Sequence, residues 1–233
     1  VQAGAIVAVH YTHSYCAFAP SRGAATAEQF YAALIDFAAY WQHALAGTVQ
    51  AQLPDASWND MAQFAFAREL VVRPGGDYPK YGAVERDYYG NEYDGFQDTF
   101  TSSFYANLEW GRFAQAAAVL DNYFDDFVQD DGLPNMRGPE VGQLGLSLSL
   151  LARYLHYTGD APRLRRLLPK IAATAQVLCA LHDHALALPR TASGHGLLHG
   201  WNESDACLFP DPSLWWKPYY ANSALTIRGW EDI

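Results

Sequence analysis

The chain has 233 residues, 50% of them hydrophobic, which is enough for one sizeable core and for no more than two domains. Its formal net charge is -10, and its 15 Lys and Arg residues form no extended basic run, which argues against a nucleic-acid-binding protein. No apolar run approaches the roughly 20 residues that span a bilayer, so no membrane-spanning segment is predicted.

The hydrophobic period of the sequence changes near residue 26. Residues 1–25 carry a short β-rich run without a helical stripe, and we interpret them as a lead-in or as the end of a preceding β-domain. From Thr26, which suits an N-cap, the apolar spacing becomes helical, and residues 26–233 are predicted to form one all-α domain. Pro169 predicts a kink or a break in the sixth helix. The seven predicted helices cover residues 26–47, 55–72, 96–110, 113–128, 139–159, 161–187 and 215–233.

The predicted connections alternate in length. Tight turns join the third helix to the fourth and the fifth to the sixth, whereas long polar and aromatic loops cover residues 73–95, 129–138 and 188–214. Antiparallel helical hairpins that stack side by side place every second connection at the same end. The three long loops are therefore predicted to gather on one face of the domain.

Three stretches carry a resemblance to a known superfamily. They read "YDGFQDTFTSSFYANLEWGRFAQAAAVLDNYFDDFVQDDGLPN", "GQLGLSLSLLARYLHYTGD" and "GLLHGWNESD". Hairpins of this size, with short turns on one side and decorated loops on the other, resemble the (α/α)6 barrel of the six-hairpin glycosidases. The resemblance covers roughly residues 26–233. It implies a partial (α/α)6 toroid, with about seven of its twelve helices present, as the catalytic domain.

The same resemblance implies a glycoside hydrolase that acts on an oligosaccharide or glycoside substrate without a cofactor. Such enzymes use two carboxyl groups, one to protonate the leaving oxygen and one to activate water or to attack the anomeric carbon. An inverting mechanism is expected by resemblance only. Because a complete toroid needs further helices, the second catalytic carboxylate is expected beyond residue 233.

The stretch "GHGLLHGWNESDACLFPDPSLWWKPYY" contains the predicted catalytic carboxylates, Glu203 and Asp205. Trp201 precedes them and a pair of tryptophans follows. Apolar rings around a carboxyl group disfavour its charged form, which suits a general acid that works near neutral pH. We predict Glu203 as the general acid and Asp205 as the alternative. The competing interpretation is that one of the two caps a turn.

Two further acidic stretches fall on the predicted loop face. Asp94 and Asp98 stand four residues apart at the start of the third helix, and the resemblance implies that they bind sugar hydroxyls. The alternative for Asp94 is an N-cap. Arg137 and Glu140, beside the start of the fifth helix, are predicted to orient a carboxylate or to bind hydroxyls, with a surface ion pair as the alternative. The other predicted substrate-binding residues are Trp201, Asn202, Trp215, Trp216 and Tyr219.

No metal site is predicted. Cys16, Cys179 and Cys207 form no CxxC pair, which argues against both a zinc site and a disulfide scaffold. His195 and His199 are four residues apart, but glycines interrupt any regular helix that would bring them together. Nucleotide-binding motifs and GxSxG do not occur. The compartment and the oligomeric state stay open, with the periplasm and secretion as the expected options for a soluble chain.

Two other functions remain open on the same toroid. A sugar epimerase or a polysaccharide lyase would transfer protons through His or Tyr, and His195, His199, Tyr219 and Tyr220 could supply these groups. A non-catalytic carbohydrate-binding toroid would bind sugar and hydrolyse none. The products distinguish the enzymes, because a lyase leaves an unsaturated sugar that absorbs in the ultraviolet and an epimerase releases no fragment.

Overall fold

A computed structural model of the protein describes residues 26–49, 51–72, 97–135, 140–201 and 211–233. These residues are mostly helical, with seven α-helices and one two-stranded sheet, so the all-α fold class is confirmed for this part of the chain. The chain divides into two compact units between Ala46 and Gly47, and each is described by itself. The predicted lead-in at residues 1–25 lies outside the described residues.

The helices agree closely with the predicted ones, except at the start of the last. A π-helical turn, Tyr123–Phe127, continues the fourth helix. Strand β1, His199–Gly200, pairs antiparallel with β2, Lys217–Pro218. The prediction that the last helix begins near Trp215 is wrong, because the residues that follow Trp215 pair with β1 instead. The helices are α1 Ala27–Ala44, α2 Ser57–Val72, α3 Gln97–Glu109, α4 Phe113–Asn122, α5 Val141–Thr158, α6 Ala161–Ala187 and α7 Tyr220–Asp232. None of the described helices combines the length and the hydropathy that crossing a membrane requires.

The first unit contains α1, which begins with the predicted cap. The Thr26 side-chain oxygen accepts the backbone N–H of Gln29 at 3.2 Å, and Gln29 Oε1 accepts the backbone N–H of Thr26 at 2.9 Å. This reciprocal pair is a capping box, which satisfies N–H groups that have no partner inside the helix. The N-cap predicted at Thr26 is therefore confirmed.

The hairpin of α5 and α6 is closed by the sequence "TGD". Gly159 ends α5 with a φ of 69°, a left-handed conformation that favours glycine. Asp160 caps α6, since its Oδ1 accepts the backbone N–H of Arg163 at 3.2 Å. The helix then runs through Pro169 without interruption, so of the predicted kink or break the break is wrong, and the kink stays a prediction.

Helices α3 and α5 of the second unit run parallel to each other. Near their starts, Thr101 Oγ donates a hydrogen bond to Gln143 Oε1 at 2.8 Å. Near their ends, Arg153 forms an ion pair with Glu109 at 2.7 Å. Because residue numbers rise together along both helices, their N-terminal ends lie at the same end of the unit.

Helix α7 continues this row on the other side of α5. The Asn222 side chain accepts the backbone N–H of Gly142 near the two helix starts, and Ser149 donates a hydrogen bond to Asp232 near the end of α7. Residue numbers again rise together, so α5 and α7 are parallel. The three long connections of the chain therefore lead into one end of a row formed by α3, α5 and α7.

Helices α4 and α6 form a second parallel row. Arg166 of α6 pairs with Asp125, just beyond α4, at 2.7 Å. Further along, Thr174 Oγ donates to the carbonyl oxygen of Gly132 at 3.0 Å. Helix α4 follows α3 and helix α6 follows α5 through tight turns, and each is antiparallel to the helix that it follows, which is the arrangement of stacked helical hairpins.

The hydrophobic core lies between the two rows and includes most of α5. The rings of Phe100 and Tyr123 stack with centroids 3.8 Å apart and planes within 5° of each other. Leu144, Leu148 and Leu151 of α5 are fully buried in the same core cluster. Burial of one such leucine contributes roughly 1.5–3 kcal/mol, so the core holds the helix ends in a fixed arrangement.

Candidate functional site

Two of the predicted substrate-binding residues meet at the N-terminal end of α5. Glu140 precedes the helix as its N-cap, and its backbone forms a parallel β-bridge with Trp201. Both side chains are buried, with 2% of Glu140 and 0% of Trp201 exposed to solvent. The fold thus brings Glu140, which neighbours Arg137 in the sequence, to Trp201, which precedes the predicted catalytic residues Glu203 and Asp205 in the sequence.

The strand that leads to Trp201 is held by the short sheet. His199 lies opposite Pro218, and Gly200 lies opposite Lys217. Trp201 directly follows β1 and Trp216 directly precedes β2, so the two tryptophans flank the same end of this antiparallel pair. The short sheet therefore brings two of the predicted tryptophans to one place.

The predicted aromatic residues differ in how far they are exposed to solvent. Trp215 and Trp216 contact each other edge to face, with centroids 5.9 Å apart, and both are half-buried. Tyr219 is also half-buried, and its backbone N–H donates to the carbonyl oxygen of Leu198 at 3.3 Å. Glu140 and Trp201 are both buried, and we call this pair the floor of the candidate site. Solvent still reaches part of the Trp215 and Trp216 rings.

A glycine and an asparagine allow the strand to reach α5. A β-carbon on Gly200 would lie 2.4 Å from Cγ2 of Val141, so the strand passes directly over the first residue of the helix. Asn222, on the first turn of α7, is 3% exposed, and its Oδ1 accepts the backbone N–H of Gly142 at 3.2 Å. No sequence prediction included Asn222. The signal for it is an asparagine at the third position of a helix, where short polar side chains tend to bond backbone groups.

The remaining predicted site residues are only partly covered by the structure. Asp98 lies in the first turn of α3, at the end that α3 shares with α5. The predictions for the other site residues stay predictions, because these residues lie outside the described ranges: Asp94, Arg137, Asn202, Glu203 and Asp205.

The two histidines bond the loop in which they lie. His195 Nδ1 is 2.8 Å from the carbonyl oxygen of Leu188, and His199 Nδ1 is 3.0 Å from that of Leu197. Within the described ranges, no group of three or more His, Cys, Asp or Glu side chains is arranged to hold a metal ion. The structure therefore assigns these imidazoles local hydrogen bonds, each through its Nδ1 atom.

Clear pKa shifts occur at the other end of α5, in the hairpin turn. A hydrogen bond from the Arg163 side chain holds the pKa of Asp160 below its ordinary range. Burial raises the pKa of Tyr154, whose hydroxyl donates to Asp160 at 2.9 Å. Because these groups cap a helix and close a hairpin, their shifts have a structural cause and do not by themselves mark a proton-transfer site.

Comparison with known proteins gave no match to a family model, to a curated protein or to a solved structure. The resemblance to the six-hairpin glycosidases therefore stays a prediction from the sequence.

Proposed function

We propose that the protein is a glycoside hydrolase that cleaves a glycosidic bond with a pair of carboxyl groups and inverts the anomeric centre. The junction of Glu140 with Trp201, at the shared end of α3, α5 and α7, is the observation that carries the proposal. In the sequence, an acidic or aromatic stretch precedes each of these helices, which supports a rim at which carboxyl groups and flat rings would gather.

The proposed fold is an (α/α)6 toroid, of which this chain forms a part. The two parallel rows support it, because each hairpin adds one helix to the row of α3, α5 and α7 and one to the row of α4 and α6. Further hairpins added along a curved path would close the two rows into a double ring of helices. The rim with the long connections would then surround the mouth of the inner ring.

Glu203 is the proposed general acid, and Asp205 is the fallback. Two residues of chain span at most roughly 7 Å, so a carboxyl group at position 203 stays within reach of the rim that Trp201 anchors. The half-buried Trp215 and Trp216 would pack against the apolar face of a sugar ring, and Glu140 with the Trp201 indole would form the floor beneath it.

The decisive variant is Glu203→Gln, made in the full-length protein. Removal of a general acid costs roughly 10²–10⁴-fold in turnover, whereas a neutral amide of the same shape leaves sugar binding intact. Asp211→Asn is the matched control, because Asp211 is exposed on the same connection and its Oδ1 accepts the backbone N–H of Ser213 at 3.0 Å. The control is expected to turn over normally.

Three outcomes would contradict the assignment. Near-normal turnover of Glu203→Gln removes this residue from the role, and Asp205→Asn then tests the fallback. An unsaturated product that absorbs in the ultraviolet, or an isomerised sugar without a released fragment, identifies a lyase or an epimerase. Sugar binding without any hydrolysis by the intact protein identifies a non-catalytic carbohydrate-binding toroid.

A further inference from the structure

Asn222 occupies the point where α5, α7 and the β1 strand meet. Its side chain is 3% exposed, and its Oδ1 accepts the backbone N–H of Gly142 at 3.2 Å. That N–H belongs to the first turn of α5, where a helix leaves its amide donors without intrahelical partners. Glu140, the N-cap of α5, forms no side-chain cap hydrogen bond. Asn222 therefore supplies from α7 a capping contact that the N-cap residue of α5 does not make.

This contact also fixes the other half of the Asn222 amide. Because Gly142 N–H is a donor, the amide oxygen must face it, and the NH2 group must point to the opposite side. On that side lies the strand that carries Trp201, since a β-carbon on Gly200 would lie 3.2 Å from Asn222 Nδ2. Nδ2 is buried and has no hydrogen-bond acceptor among the described residues. A buried donor in this position is costly unless the site supplies an acceptor.

The next residue along α7 provides a natural comparison. Ser223 Oγ accepts the backbone N–H of Leu198 at 3.0 Å, at the beginning of the same strand. This hydrogen bond holds the strand three residues before Trp201. Ser223 bonds the strand away from the site, whereas Asn222 bonds the start of α5 at the site. A variant of Ser223 is therefore a matched control for a variant of Asn222.

We propose that Asn222 is a positioning residue: its Oδ1 holds the start of α5 by a hydrogen bond, its buried NH2 group packs against the strand at Gly200, and together these contacts keep Glu140 and Trp201 in place as the floor of the site. This role rests on the proposed function, because the floor matters for a sugar only if the rim binds one. Loss of these contacts would lower the affinity for substrate and leave the chemical step in place. A purely structural residue would behave differently, since partial unfolding reduces the active fraction, and hence the apparent kcat, without changing KM.

The first test needs no substrate. Amide hydrogen exchange is compared for the full-length protein and for Asn222→Ala, Asn222→Asp and Ser223→Ala. Asn222→Ala should lose protection at Gly142 and at Gly200–Trp201, because it removes both the acceptor and the side chain that packs on the strand. Asn222→Asp keeps an acceptor for Gly142 but buries a carboxylate oxygen without a donor against the strand, so it should lose protection at the strand alone. Ser223→Ala should lose protection at Leu198 only. Unchanged exchange at Gly142 and Trp201 in Asn222→Ala would overturn the proposal.

The second test uses steady-state hydrolysis of a panel of nitrophenyl glycosides. For Asn222→Ala we expect KM to rise roughly tenfold, the change that loss of about one net hydrogen bond produces, with kcat within about threefold. Ser223→Ala should keep KM within about twofold. A lower kcat at unchanged KM in Asn222→Ala overturns the positioning role. If the native protein hydrolyses no glycoside while the exchange pattern appears as expected, the proposed function fails and the structural role of Asn222 stands.

Discussion

Gly145 of α5 and Gly229 of α7 meet backbone to backbone. A β-carbon on Gly229 would lie 2.1 Å from the carbonyl oxygen of Gly145, and one on Gly145 would lie 2.4 Å from the Cα of Thr226. No side chain can yield at either point, because the opposing atoms belong to the main chain. The parallel approach of α5 and α7, which sets the Glu140–Trp201 junction at their shared end, therefore requires glycine at both positions.

Because of this contact, a methyl group added at Gly145 should lower the free energy of unfolding strongly. Gly145→Ala should lower the free energy of unfolding by about 2–3 kcal/mol, since overpacking against main-chain atoms forces the helices apart. Gly142→Ala is the control for stability alone: its β-carbon would meet side-chain atoms, Leu225 Cδ1 at 3.2 Å and Asn222 Oδ1 at 3.3 Å, which can shift where main-chain atoms cannot. We expect the control to cost about 1 kcal/mol or less, helped by the better helix propensity of alanine. Urea unfolding measures both, and equal stabilities of the two variants would contradict the prediction.

The Asp160 cap of α6 predicts a dependence of stability on pH. The hydrogen bond from Arg163 holds the pKa of Asp160 below its ordinary value in the folded state. Between the folded and unfolded pKa values the unfolded chain binds more protons, so stability rises with pH across that interval. The contribution is complete above about pH 4 and is lost as the pH falls through the folded pKa.

The measurement compares the native protein with Asp160→Asn between about pH 2 and pH 6. Asparagine also serves as an N-cap, so the variant keeps the cap and loses the charge. We expect the free energy of unfolding of the native protein to fall more steeply toward low pH than that of Asp160→Asn. Asp183→Asn, an exposed change of the same charge on α6, is the control. Identical slopes for the native protein and Asp160→Asn would show that the Arg163 contact does not stabilise the charged cap.

Arg112, in the turn between α3 and α4, is buried. Its Nε donates to Asn107 Oδ1 at 3.0 Å, its Nη1 donates to Thr48 Oγ at 3.3 Å, and its guanidinium lies 4.9 Å from the ring centroid of Phe66. Lysine keeps the charge but has no planar fork, so it cannot make these contacts together. We expect both Arg112→Lys and Arg112→Met to lower the free energy of unfolding by about 2–4 kcal/mol. Native-like stability of Arg112→Lys would mean that the charge alone matters here.

Most helix boundaries could be predicted because they depend on neighbouring residues. Thr26 with Gln29 starts α1, and "TGD" ends α5 and starts α6, through a left-handed glycine and an aspartate cap. The start of α7 could not be predicted in this way. It depends on the pairing of Lys217–Pro218 with His199–Gly200, which lies elsewhere along the chain and leaves no local period.

In the candidate site, too, features that depend on neighbouring residues could be predicted and those that depend on distant residues could not. Glu140 and Trp201 could be selected one by one, because a carboxylate at a helix start and a tryptophan in a long loop are local features. Their β-bridge could not be predicted, since it depends on how the loop before α7 crosses the start of α5. Asn222 was missed for the same reason: its partner, Gly142, is on another helix, and the two helices meet only because their glycines allow it.

The crossing of β1 over α5 gives a test that couples the fold to the site. A β-carbon on Gly200 would lie 2.4 Å from Cγ2 of Val141, which is fully buried and, as a β-branched residue, has little rotamer freedom. Gly200→Ala should therefore push the strand away from α5 and displace Trp201. We expect the dissociation constant for the sugar ligand to rise roughly tenfold and the free energy of unfolding to fall by about 1–3 kcal/mol.

The second variant of this pair is Val141→Ala, which removes the Cγ2 atom that Gly200→Ala would strike. Alone, it should cost about 2 kcal/mol of stability through the cavity that it leaves and should change sugar affinity little. In the double variant the closest clash is removed, and the nearest atom to the new methyl group is then the β-carbon of residue 141, at 2.9 Å. The two losses should therefore be less than additive by about 1 kcal/mol. Sugar affinity should recover part of the way toward that of the native protein. Strictly additive losses in both quantities would show that the strand does not press against Val141, and the close crossing of β1 and α5 would then not position the floor of the site.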